Sequence, residues 1–345
     1  MLIRYPKRLR LAQLPTPIEP AARLSEPLGV NLFVKRDELT GFPLSGNKVR
    51  KLEFSLAEAL REKASVVITA GGVQSNHCRA TALACARLGL ECHLILRGAP
   101  PRLPEGNLLL DLLAGAHFSF FPREIYSTKK PEIVGQLIDH YAQQNKRAYY
   151  VPVGASNAIG SLGYVLAFEE ICRQLDRLSV KIRHVVTAVG SGGTLAGLIA
   201  GKLLSKRRWP EIWGVNVCDD APTFVVEVRR ILEEMNDRFG TRFRSDRVDV
   251  KILDGYVGPG YAMPYPEELE TIVHAAQTEG IVLDPVYTGK AFHGLVREIQ
   301  GGRFGRGEGI LFLHTGGTFG LLAQADAFKS LWNDVRGKAI IRKIS

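Results

Sequence analysis

The chain has 345 residues, 46% of them hydrophobic and 23% charged, with a net charge of +10. Those proportions are those of a globular protein rather than a disordered chain, and the length leaves room for two ordinary domains around real cores. The positive charge would permit nucleic-acid binding, but the densest basic groups, Lys7-Arg8-Arg10 and Lys206-Arg207-Arg208, are short and far apart, and no zinc-finger spacing or RNA-binding aromatic motif accompanies them. A solvated surface that attracts small anions, with no nucleic-acid partner, is the expectation.

The first residues are basic but lack an apolar stretch of signal-peptide length. No later run approaches the ~18 apolar residues of a membrane span, so a cytoplasmic location without membrane association is expected. Cys78, Cys85, Cys92, Cys172 and Cys218 are odd in number and show neither metal-site nor disulfide spacing. Reduced, buried thiols and no metal follow.

In chain order, Ser65–Thr69 reads as a β-branched strand ending at Ala70-Gly71-Gly72, with a helical pattern over 76–88. A strand follows at 91–96, a helix near 108–114, a strand at 117–121, a helix near 130–144 and a strand at 148–153 that breaks at Gly154. A helix over 163–175 leads to a strand at 184–189, a glycine-rich turn and a helix from Thr194 to about Ser205. A strand at 212–217, two late helices and a strand at 309–314 complete the series. This alternation argues for an α/β fold, with parallel-type sheets covered by helices on both faces. Residues 218–266 read as the least regular stretch, and no linker marks a domain boundary.

Six stretches carry chemistry. Gly190-Ser191-Gly192-Gly193-Thr194 follows an apolar strand and opens a helix, so its small residues let free N–H groups approach an anion under a favourable dipole. It is neither a Rossmann nor a Walker loop, and a plain strand-to-helix turn remains open. Lys48 and Lys51, in Gly46-Asn47-Lys48-Val49-Arg50-Lys51-Leu52-Glu53, sit three apart on the first turn of an apolar-faced helix. There the dipole lowers an amine's pKa, as imine formation or base chemistry requires; a surface lysine is the alternative. In Gly72-Val73-Gln74-Ser75-Asn76-His77, Ser75 and Asn76 can cap a helix, and the same free amides can bind a carboxylate. Gly258-Pro259-Gly260-Tyr261, Asp284-Pro285-Val286-Tyr287-Thr288 and His314-Thr315-Gly316-Gly317 each occupy a turn after an apolar run. The last follows a strand directly, where open α/β sheets hold ligands.

Together and in this order, these stretches resemble the D-cysteine desulfhydrase / 1-aminocyclopropane-1-carboxylate deaminase family, within the fold type II pyridoxal-phosphate enzymes. The similarity runs from about residue 10 to residue 325. It implies a two-domain fold with pyridoxal 5'-phosphate in the interdomain cleft. Residues 1–50 and 165–345 would form the large domain, 51–164 the small one inserted in it, and two copies a homodimer. By the resemblance, Lys48 would carry the cofactor covalently and shuttle the Cα proton. Lys51 and the loop Gly190, Ser191, Gly192, Gly193 and Thr194 would hold its phosphate, and Asn76 its phenolic oxygen. Ser75, with Asn76 and His77 around it, would bind the substrate carboxylate. Tyr261 and Tyr287 would line the substrate side and transfer protons, and Thr315 would lie close to substrate and ring.

The resemblance also points to a subgroup. Members that open the cyclopropane ring carry Glu after the second tyrosine, near the pyridine nitrogen, and Leu at the later position. Here the two residues are Thr288 and Thr315, the desulfhydrase-like pair. A neutral hydroxyl makes the cofactor a weaker electron sink than Glu would, which suits expulsion of a good leaving group. The expected reaction is α,β-elimination from D-cysteine to pyruvate, hydrogen sulfide and ammonia. Ring opening of the cyclopropane amino acid and L-cysteate desulfonation are alternatives, and a catalytically silent cofactor- or anion-binding protein is the reading from another class.

Overall fold

Residues His184–Val189 turn alternate side chains into two apolar layers, and all six are buried. A strand covered on both faces is the mark of a doubly wound α/β sheet. The computed structural model describes residues 3–338. The chain opens with β1 (Ile18–Pro20), α1 (Ala22–Leu28), β2 (Asn31–Arg36) and α2 (Asn47–Arg61). Strands β3 (Val66–Gly72), β4 (Glu91–Arg97), β5 (His117–Phe121) and β6 (Ala148–Tyr150) then alternate with α3 (Asn76–Leu88), α4 (Gly106–Leu113) and α5 (Arg123–Gln143). After these come α6 (Ala158–Leu178), β7 (His184–Val189), α7 (Gly193–Ser205), β8 (Glu211–Asn216), α8 (Ala221–Phe239) and β9 (Lys251–Leu253). Helices α9 (Pro266–Glu279) and α10 (Thr288–Gln300), strand β10 (Gly309–His314), and helices α11 (Thr318–Leu322) and α12 (Lys329–Lys338) complete the series.

The strands form two sheets, one of six in the order β1-β2-β10-β7-β8-β9 and one of four in the order β5-β4-β3-β6. Every pairing is parallel except β1 with β2, so the expected parallel sheet carries one antiparallel edge strand. On one face of the larger sheet, Val185, Val189 and Leu311 pack with α6, α7 and α8. On the other, Val186, Val215 and Phe312 pack with α9 and α10. The smaller sheet is likewise enclosed, with Val67 and Leu94 against α2 and α3, and Ile68 and Ile95 against α5.

Three readings of the sequence need correction. The stretch from 218 onward is not irregular at its start: α8 runs 19 residues with Asp220 capping the Thr223 amide. Helix α5 begins at Arg123 rather than near 130, because Pro131 lies inside it instead of starting it; proline is commonest at a first turn, which hid the two turns before it. Helix α6 begins at Ala158, five residues before the expected start near 163, and packs along α7. The five cysteines are free and buried, as expected.

A buried ionic cluster fastens the start of the chain to α6. Arg50 donates to Asp37 at 2.8 and 2.9 Å and to Glu170 at 2.9 and 3.0 Å, Tyr164 donates to Asp37 at 2.6 Å, and Lys35 donates to Glu170 at 2.5 Å. Burial alone would raise the carboxyls of Asp37 and Glu170, but the Arg50 guanidinium more than offsets it and holds both below their ordinary range.

Candidate active site

The carboxyl ends of strands from both sheets converge on one cleft of about 600 Å³. Gly72 ends β3, Arg97 ends β4, Gly190 follows β7, Cys218 follows β8 and Thr315 follows β10, and all line it. Strand termini facing one another across a crevice are where open α/β folds bind ligands.

Lys48 lies in the first turn of α2, after Gly46 with φ +89°. A side chain at Gly46 would meet the Thr315 carbonyl at 2.8 Å, and the Asn47 amide donates to that same carbonyl at 3.0 Å, so the start of α2 is seated against the end of β10. Lys48 is half-buried as a residue and lines the cleft. Desolvation nevertheless lowers its pKa to about 8, against the opposing pull of Asp284.

The turn Gly190–Thr194 faces the same cleft. Helix α7 opens with no cap from its own N-cap residue Gly192; the Gly193 amide is taken up by the Ser191 carbonyl at 2.9 Å and by Ser156 Oγ at 3.2 Å, which leaves the amides of Thr194 and Leu195 for a ligand. Thr194 accepts from the Asn47 side chain at 3.1 Å, tying the loop to the helix of Lys48. A Cβ at Gly193 would lie 2.7 Å from Ser156 Oγ and 2.8 Å from Lys51 Nζ. Lys51 is thus directly beneath the loop, donating to the Gly154 carbonyl at 3.0 Å and to Ser156 at 3.3 Å. Burial, with Lys48 nearby, holds its ammonium well below the ordinary lysine range. Lys51 and Gly193 support the cradle from behind, while Gly190, Ser191, Gly192 and Thr194 form its surface.

On the smaller sheet's side, Ser75 caps α3 by accepting from the Cys78 amide at 3.2 Å. A Cβ at Gly71 would strike Ser75 Oγ at 2.5 Å, so the turn requires glycine there. The Asn76 carbonyl oxygen accepts from Asn107 at 3.0 Å, which leaves its amide NH2 for the cleft. Thr69 donates to the Val151 carbonyl at 2.7 Å and so accepts from His77 Nε2 at 2.8 Å. His77 therefore carries its proton on Nε2, with Nδ1 buried and unpaired, and desolvation together with Lys48 and Lys51 keeps the ring neutral.

The larger sheet's side contributes Tyr261 and Tyr287, whose hydroxyls are hydrogen-bonded to each other, and Thr315 on the cleft wall. Burial raises both tyrosine pKa values. Thr288 is not brought to the wall. It is fully buried and donates to Asp284 at 2.7 Å. Asp284 also accepts from the amides of Val286, Tyr287 and Thr288 at 3.0 Å, capping α10. That carboxylate, the one acid facing Lys48, is a site residue to which the sequence reading gave no role; an Asp followed by Pro at a helix start was its signal. Arg97, Arg123 and Lys130 also line the cleft and were not singled out.

A cradle too tight for side chains, over a buried ammonium and beside an amine of depressed pKa, fits an aldehyde with a phosphate tail. The family model described as pyridoxal-phosphate dependent enzyme matches residues 9–316. The chain belongs to the pyridoxal-phosphate dependent enzymes. Its relatives in that family include the bifunctional D-cysteine desulfhydrase/1-aminocyclopropane-1-carboxylate deaminase, mitochondrial, of Arabidopsis thaliana, 42% identical over 93% of this chain and 80% of that protein. The D-cysteine desulfhydrase of Klebsiella pneumoniae is 41% identical over 93% of this chain and 97% of its own. Among solved structures, an ACC deaminase homologue superposes with a TM-score of 0.85 at 36% identity, covering 95% of this chain and 97% of that one. As a pyridoxal-phosphate dependent enzyme of fold type II, this chain uses pyridoxal 5'-phosphate as its cofactor. None of the described helices is long and apolar enough to cross a membrane.

Proposed function

We propose that this enzyme catalyses α,β-elimination on D-cysteine, releasing pyruvate, hydrogen sulfide and ammonia. The observation that carries the reading is the meeting of Lys48, its amine pKa lowered to about 8, with the uncapped start of α7 in one cleft. The names of the Arabidopsis and Klebsiella relatives support the choice of substrate.

Lys48 holds the cofactor between turnovers and takes the Cα proton during one. The Gly190–Thr194 turn receives the phosphate, with Lys51 and Gly193 behind it. Bound there, the cofactor supplies an electron sink that makes the Cα proton removable. The NH2 of Asn76 donates to the phenolic oxygen, and the hydroxyl of Ser75 with the first amides of α3 receives the substrate carboxylate. His77, locked in one tautomer by Thr69, keeps that helix start in place without adding charge. Tyr261 and Tyr287 pass a proton on the substrate side, and Thr315 packs against substrate and ring. Thr288 acts through Asp284, holding with its hydroxyl the carboxylate that faces Lys48.

We extend the proposal to organisation. The two sheets are the cores of two domains that close over substrate. The protein is a cytoplasmic homodimer, a reading supported by five reduced thiols and by exposed Leu112 and Leu113 on α4 near exposed Leu322 on α11.

The test is a substrate panel with the purified, cofactor-loaded protein: both cysteine enantiomers, L-cysteate and the cyclopropane amino acid. Sulfide and pyruvate from D-cysteine are expected. Ammonia and 2-oxobutanoate from the cyclopropane substrate alone would overturn the subgroup reading.

A further inference from the structure

Helix α5 presents Arg123, Tyr126, Ser127 and Lys130 to the cleft, spaced three, four and seven apart along one face. Arg97, at the end of β4, stands beside them. Its guanidinium lies 4.8 Å from the Tyr261 ring centre and 5.9 Å from that of Tyr126, and the Lys130 ammonium is 5.2 Å from the Tyr126 ring. Burial and the nearby Arg97 hold the Lys130 ammonium below its ordinary range. Three cations are thus gathered on one wall, yet none of their side chains forms an ion pair among the described residues. Asp219, exposed on the six-stranded side, is the one acid on the cleft wall and pairs with none of them.

Arg97 differs from the other two. It is half-buried and held over an aromatic face, with no hydrogen bond spent on a described side chain. A planar, permanently charged group with free donors recognises an anion of defined position. That anion is not the α-carboxylate, which has its own receptor at the start of α3, nor the cofactor phosphate, which has the start of α7. Arg97 instead touches Tyr261, the residue placed on the substrate's reacting side.

We infer that Arg97, backed by Arg123 and Lys130, is the receptor for the anion that departs from the substrate's β-carbon. The assignment rests on the elimination chemistry proposed above. The Cα proton goes to a base, its electron pair forms the Cα–Cβ double bond, and the Cβ–S pair leaves with sulfur. Hydrosulfide from cysteine and sulfite from a sulfonate both depart as anions, and both meet the same guanidinium. Arg97 is accordingly a specificity residue for substrates with a negative or charge-accepting β-substituent.

The deciding experiment separates this from the elimination reading. Aspartate and asparagine are nearly isosteric and differ in side-chain charge. Their binding to the cofactor-loaded enzyme, measured by calorimetry for both enantiomers, requires no elimination. Native enzyme should prefer aspartate by about tenfold or more, the size of one charge-assisted hydrogen bond. Arg97→Gln should abolish that preference and leave asparagine binding unchanged, while Arg97→Lys should keep part of it. In turnover, Arg97→Gln should lower kcat/KM for cysteine and cysteate by about tenfold more than for 3-chloroalanine, whose chloride needs least help to leave. A native enzyme indifferent to side-chain charge, or a preference that survives in Arg97→Gln, overturns the assignment. So does an equal fall for all substrates, which would mean that Arg97 only props Tyr261.

Discussion

The hydroxyl of Tyr261 lies 2.6 Å from that of Tyr287, with the two rings 5.9 Å apart and inclined at 71°. The residues come from two loops and share one short hydrogen bond, so neither hydroxyl acts independently of its partner. Tyr287→Phe and Tyr261→Phe should each reduce kcat by about 100-fold, the usual scale for a lost proton-transfer group. The double variant should be scarcely worse than the slower single, because residues that act as a unit are non-additive. Steady-state kinetics on the three variants checks this, and additive losses would contradict it.

The Lys48 amine should titrate near pH 8 rather than in the ordinary lysine range near 10.5. Only the neutral amine attacks an aldehyde. Uptake of pyridoxal phosphate by the cofactor-free protein should therefore speed up as pH rises through about 8 and level off above it. Stopped-flow absorbance follows the reaction. Lys48→Ala should still bind the cofactor in the cradle, but borohydride should no longer fix it to the chain, as mass spectrometry would reveal.

Gly193→Ala places a methyl group 2.7 Å from Ser156 Oγ and 2.8 Å from Lys51 Nζ. One of those side chains must retreat, and the phosphate cradle is distorted with it. Overpacking of this kind costs about 1–3 kcal/mol, so cofactor affinity should fall roughly 5- to 150-fold. Equilibrium titration of the cofactor-free protein measures it, with the fold monitored by circular dichroism.

The Asp37–Arg50–Glu170 cluster sets acid stability. Both carboxyls titrate below their ordinary values when folded, so their contribution is complete above the unfolded carboxylate range near pH 4 and is lost as pH falls through the folded values. Asp37→Ala should cost about 3–5 kcal/mol in urea unfolding at neutral pH, because it leaves Arg50 under-compensated in the interior. Its stability should also fall less steeply on acidification than that of the native protein.

Much of the fold was legible because the central strands follow the two-sided apolar pattern. His184–Val189 and Gly309–His314 fall where periodicity placed them. The short edge strand Ile18–Pro20 was not, since three residues ending in proline carry no period. Helix α5 lost its first two turns to the usual meaning of Pro131, and with them Arg123, Tyr126 and Ser127 of the cleft wall. The glycine-rich turns were readable because close backbone approach leaves glycine no substitute. Arg97 was not: an arginine ending an apolar strand looks like any surface cation until the fold stacks it on Tyr261. Thr288 was placed by the resemblance near the pyridine nitrogen, and nothing in the sequence showed that its hydroxyl is donated to Asp284.

Helix α2 spends consecutive positions on unrelated duties: Lys48 to the cleft, Val49 to apolar packing, Arg50 to the ionic cluster and Lys51 to the underside of the phosphate loop. Each step along a helix rotates the side chain by about 100°. The reactive nitrogen therefore has no spare register. An insertion or deletion of one residue within this turn would send it into packed hydrocarbon or against a guanidinium, and the same slip would unseat the clamp that holds the N-terminal segment on the far side.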